Sequence, residues 1–117
     1  PKTAALIKRG HQVAPESIKV YQAERQWLAQ ELRKVMKDNG IEVWISPPAT
    51  GPAPAGLKST GDPVMNLPWT YAGLPAINLP AGFARNGLPM GLQITTDCQQ
   101  DEKLMGWAKP LAAAVAP

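Results

Sequence analysis

Between Thr60 and Gln93 the chain concentrates five of its ten glycines and five of its thirteen prolines. These residues punctuate short apolar runs, Leu74-Pro75-Ala76-Ile77-Asn78-Leu79-Pro80 and then Leu88-Pro89-Met90-Gly91-Leu92-Gln93-Ile94. Proline fixes φ and removes a donor, whereas glycine reaches φ values closed to other residues. A backbone specified at so many positions reads as short strands between sharp corners, with loops that must arrive at a defined place. That excludes a disordered low-complexity tract and favours a folded α/β unit.

The 117 residues fit a single domain, 1–117, with a modest core, and 44% are apolar. No apolar run approaches the roughly 20 residues that span a bilayer, and the opening residues show no signal or transit pattern. One cysteine, Cys98, cannot form an internal disulfide, so a cytoplasmic protein is expected. Charge is uneven. Residues 1–39 carry eight Lys/Arg against four Asp/Glu, and residues 40–117 carry four against five. No aromatic or Arg-rich recognition pattern accompanies the basic half, so it reads as a solvated helix face rather than a nucleic-acid surface.

Residues 1–14 read as short and mixed, with a corner at Gly10. The spacing of Ile18, Tyr21, Leu28, Leu32 and Val35, widened by Trp27 and Met36, predicts a long helix from Pro15 to Asp38. Pro15 suits the first turn and Asn39-Gly40 a left-handed stop. Ile41–Ile45 reads as a strand ended by Pro47-Pro48. Residues 47–61 read as a surface loop. Asp62-Pro63 predicts a capped helical start, running through Ala72 but interrupted near Pro68. Strands are expected near 76–79 and 90–95 around the turn dipeptide Asn86-Gly87. A last helix is expected over 97–115, kinked or divided at Pro110. Its inner side would carry Leu104, Met105, Ala108, Leu111, Ala112 and Val115. The order implies a mixed β-sheet packed by the long N-terminal helix and by the C-terminal helix.

No complete catalytic constellation is present in these residues. One His and one Cys make no metal cluster, so neither metal nor cofactor is expected. The serines, Ser17, Ser46 and Ser59, sit in no nucleophile elbow and no S-x-x-K element.

The Thr60-Gly61-Asp62-Pro63 run, the Pro68–Gly82 run and Gly87-Leu88-Pro89-Met90-Gly91-Leu92-Gln93-Ile94 resemble the C-terminal part of amidase-signature hydrolases. That group includes amidases, allophanate hydrolases and the A subunit of glutamyl-tRNA amidotransferase. The resemblance extends over about 6–116, taking in the helix with Tyr21 and Arg25. It implies a partial amidase-signature fold acting on carbon–nitrogen bonds. The serine nucleophile, second serine and lysine of such enzymes match nothing here, so no catalytic residue carries over. The expected role is then sheet and substrate-pocket wall, completed by a missing N-terminal part of the domain. The alternative is a non-catalytic binding or assembly module, and the chain alone is expected to be inactive. Two residues are substrate-binding candidates by the same resemblance. Asp62 either binds a substrate amine or caps the helix at Pro63. Trp69 either lines an acyl pocket or packs beneath the loop. Asn78 reads as a strand-surface residue. The partners so implied are a small amide and, for the isolated chain, further copies of itself. Membrane contact is not expected.

Overall fold

A computed structural model describes residues 2–115. Four helices and three strands follow in the order α1 (Lys2–Gly10), α2 (Pro15–Asp38), β1 (Trp44–Ser46), α3 (Leu67–Ala72), β2 (Ala76–Phe83), β3 (Pro89–Thr95) and α4 (Asp101–Val115). A single 3₁₀ turn, Pro63–Met65, precedes α3. The α/β class is as expected. The sheet order is β1-β3-β2, and both pairings are antiparallel, so no parallel pair occurs among the described residues.

α2 has the bounds its periodicity predicts. Its end is a complete Schellman closure: Ile41 N–H donates to Met36 O at 2.8 Å and Gly40 N–H to Lys37 O at 3.4 Å, with Gly40 at φ +63°. Because Ile41 serves the helix, the strand starts later than expected, at Trp44. α3 ends by the same device, through Gly73 at φ +72° and Leu74 N–H to Trp69 O at 2.9 Å. Pro68 in the first turn of α3 separates it from the 3₁₀ turn, as the sequence implied.

Three expectations about where helices begin, end or break are corrected. Residues 2–10 form a helix, because Ala, Leu, Ile and Lys favour one and Lys8 and Arg9 complement its C-terminal dipole; Gly10 is its last residue. The last helix starts at Asp101, since Asp97–Gln100 make a turn with Gln99 at φ +60°. It continues through Pro110 undivided. The carbonyl that Pro110 leaves without its helical partner belongs to Gly106, and both residues are exposed, so water can satisfy it.

Strand alternation divides the sheet cleanly. Ile77, Leu79 and Ile94 point to one face, where Leu104, Ala108, Leu111, Ala112 and Val115 of α4 pack on them. Of the residues expected on the inner side of α4, Met105 alone turns outward, 65% exposed. The long helix has a different neighbour from the one expected. α2 lies against α3, where Tyr71 Oη donates to Tyr21 O at 2.8 Å. Arg33 at its far end pairs with Asp97 at 2.9 Å, and that hydrogen bond first, then the charge, raises the guanidinium pKa above its ordinary value. Of its apolar stripe only Met36 is buried, while Ile18, Tyr21, Trp27 and Val35 are exposed.

The consequence is a large open surface. The accessible area is 8943 Å², where a compact monomer of this mass shows about 6,200 Å². The radius of gyration is 17.2 Å, against about 13 Å for a compact domain of this length.

Candidate functional site

The sheet face opposite α4 carries a polar row. Antiparallel register aligns Ser46 of β1, Gln93 of β3 and Asn78 of β2 side by side. Gln93 is buried, and a buried carboxamide must find partners on both its ends. It does so: Ser46 Oγ donates to Gln93 Oε1 at 3.2 Å, and Gln93 Nε2 donates to Asn66 Oδ1 at 2.7 Å. Asn66 then donates through Nδ2 to Pro48 O at 2.9 Å. This chain of bonds runs from the sheet through the start of α3 to the proline-rich loop. It fixes that loop to the sheet without any regular structure in the loop itself.

At the Asn78 end of the row lies a cleft of about 490 Å³. Its walls are the loop from Pro47 to Pro54, Thr60–Asp62, Asn78 and the start of β3 from Pro89 to Gly91. The side chain of Asn78 lies over Gly91, so closely that a Cβ there would collide with the carboxamide. A side chain at 91 would therefore make the Asn78 carboxamide move aside. Asn78 is exposed, a strand-surface residue as expected, and it lines the cleft from its register position opposite Gln93.

Asp62 stands at the cleft wall and also caps: its Oδ1 accepts from Val64 N at 3.0 Å. The two readings of this residue are thus compatible, since a carboxylate retains a second oxygen free for a ligand. Trp69 is absent from the cleft wall. It packs against Trp44, ring centroids 6.3 Å apart and tilted by 34°. Ser59 accepts from Gly61 N at 3.1 Å and shapes the turn before Asp62. Cys98 is half-buried, its thiol 3.6 Å from Gly73 O, in keeping with a small packing residue. Among the described residues no group of three His, Cys, Asp or Glu side chains could hold a metal, and no helix is long and apolar enough to cross a membrane.

Sequence reasoning missed Asn66 and Gln93. The signal for Gln93 was present: a carboxamide between Leu92 and Ile94 in an apolar strand must turn to the other face and find partners. Asn66 offered no comparable signal, because its partners, Pro48 and Gln93, are 18 and 27 residues away.

Residues 2–105 match the sequence profile of the family described as Amidase. Among curated relatives, the A subunit of glutamyl-tRNA(Gln) amidotransferase from Chlorobium phaeobacteroides (strain BS1) is 35% identical, over 71% of this chain and 20% of its own length. Its counterpart from Synechococcus sp. (strain JA-2-3B'a(2-13)) is 37% identical, over 66% of this chain and 17% of its own. A solved amidase superposes with a TM-score of 0.84 at 24% identity, over 99% of this chain and 29% of that one. A 6-aminohexanoate cyclic dimer hydrolase gives 0.77 at 23%, over 97% and 27%. The chain thus spans about a fifth of the length of the curated relatives it matches.

Proposed function

Since this chain belongs to the amidase family, we propose that it forms one wall of the substrate cleft in an enzyme that hydrolyses amide carbon–nitrogen bonds. The observation that carries this reading is the cleft itself. A proline-rich loop, tied to the sheet through Asn66 and Gln93, faces Asn78 across the cleft, with Asp62 on the wall and Met90 and several prolines giving it apolar surface. Such a cleft suits a small amide, with an apolar acyl portion against the prolines and a polar end toward Asn78 or Asp62.

In this reading the reaction is acyl transfer to a serine supplied by residues outside the chain. The serine attacks the amide carbonyl, ammonia or an amine leaves, and water resolves the acyl-enzyme. The residues described here orient the amide and exclude water, which governs whether the reacting atoms meet at productive distance. Asp62 would hold a substrate amino group where there is one. Trp69 acts from beneath, by packing on Trp44 under the wall. A cytoplasmic setting belongs to the same reading, in keeping with the free thiol of Cys98.

The test is Asn78→Ala in the protein read from the complete coding frame, assayed by ammonia release. A residue of the cleft wall should raise KM or lower kcat/KM while leaving the melting temperature within a few degrees. Unchanged kinetics for Asn78→Ala and for Asp62→Ala together would remove the cleft from the substrate's path. They would favour the alternative of a module used for assembly, for which the exposed stripe of α2 offers the surface.

A further inference from the structure

Two Asn-Gly dipeptides, Asn39-Gly40 and Asn86-Gly87, serve as structural stops, and both carry a glycine at positive φ. The same dipeptide is chemically labile. The glycine amide nitrogen, with no side chain beside it, can attack the asparagine Cγ. A bond forms between Gly N and Asn Cγ, the Cγ–Nδ2 bond breaks, and ammonia leaves with the glycine amide proton. Water then opens the cyclic imide at either carbonyl, giving Asp or isoAsp. No oxidant, metal or enzyme is needed. The fold decides which asparagine reacts.

We propose that Asn86 is a site of spontaneous modification, converting to Asp and isoAsp faster than Asn39 in the folded chain. Three differences carry the inference. At Asn86 the side-chain carbonyl accepts from Leu88 N–H at 3.2 Å, which draws electrons from Cγ and stabilises the oxygen that becomes charged during attack. At Asn39 the leaving nitrogen, Nδ2, is instead tied to Val35 O at 2.9 Å. No such bond holds Nδ2 of Asn86 among the described residues.

The third difference is what ring closure must undo. In either place the asparagine ψ must rotate out of its turn. At the tip between β2 and β3 this releases Gly87 N–H from Ala84 O, 2.8 Å away, in a loop exposed at Arg85, Asn86 and Gly87. Water replaces that bond readily, because an exposed hydrogen bond given up to solvent is exchanged for bonds to water. At Asn39 it dismantles the closure of α2, including Ile41 N–H to Met36 O at 2.8 Å over a buried Met36. The attacking glycine is equally unobstructed at both places, with no atom within 4 Å of where a Cβ would stand at Gly40 or Gly87, so the contrast rests on the bonds each turn must give up. Asp at 86 keeps the acceptor for Leu88 N–H. IsoAsp lengthens the backbone at the tip, three residues before Pro89 at the cleft wall.

The experiment is incubation of the purified chain in mildly alkaline buffer, with and without denaturant. Peptide mass spectrometry reads the replacement of NH₂ by OH at each asparagine, and electron-transfer fragmentation separates Asp from isoAsp. In denaturant the two sites should convert at similar rates, since both precede glycine. In the folded chain Asn86 should convert several-fold faster than Asn39. A folded-state ratio equal to that in denaturant, or one reversed in favour of Asn39, would overturn the proposal.

Discussion

Gln93 and Asn66 are joined by a hydrogen bond of 2.7 Å that spans 27 residues of sequence and ties the central strand to the start of α3. Both residues have further partners, so removing one side chain leaves two others unsatisfied. We expect Gln93→Leu to destabilise the chain by about 1–3 kcal/mol. Gln93→Glu should cost as much, since the carboxylate cannot donate to Asn66. Urea unfolding monitored by tryptophan fluorescence measures both. A midpoint unchanged in either variant would show that the bond contributes nothing to holding the loop.

How much of this was legible in the sequence depends on the range of each contact. Local signals located α2, the cap at Asp62, the strands around 76–79 and 90–95 and the stop at Asn39-Gly40, because they act within a few residues. The α/β class followed from their order. The strand at 41–45 was displaced by the demand of the Schellman closure on Ile41, which shows only when the helix end is seen in full. The apolar stripe of α2 promised a buried face, but within this chain it meets little to cover it. In the candidate site, Asp62 could be foreseen because it sits before Pro63. The Ser46–Gln93–Asn66–Pro48 chain could not, because each of its bonds crosses at least 18 residues.

Gly91 and Asn78 should behave as a pair. Gly91→Ala forces the added methyl into the Asn78 carboxamide and should destabilise by about 1–3 kcal/mol, the usual cost of overpacking. Combined with Asn78→Ala, the same change should cost much less than the sum of the two. A double-mutant cycle on urea midpoints reads the coupling. Strict additivity would show that the strands absorb the methyl by other means.

Asp62 separates capping from binding by choice of variant. Asp62→Asn keeps a carbonyl acceptor for Val64 N and should leave stability nearly unchanged, whereas Asp62→Ala should cost about 0.5–1 kcal/mol. In the protein read from the complete frame, Asp62→Asn should raise KM for amides bearing an amino group and spare those without one. Equal effects on the two substrate classes would leave Asp62 as a cap only.

Self-association is expected of the isolated chain. Both β1 and β2 are sheet edges, and Trp27, Tyr21, Leu6 and Ile7 lie exposed on the two N-terminal helices. Unpaired edges and uncovered apolar surface both favour pairing with another copy. Light scattering over a dilution series should show mass rising with concentration. A monomer at high concentration would mean that these surfaces are tolerated in water.

Ammonia release from amides, measured for the 117-residue chain alone and for the protein read from its complete coding frame, is the decisive measurement. The chain alone should release none above buffer, because its three serines lie outside any recognised nucleophile motif. The complete protein should turn over at least one small aliphatic or aromatic amide. Turnover by the chain alone that persists through rigorous purification, or a complete protein inert toward every amide offered, would contradict a cleft wall that serves a serine supplied from elsewhere.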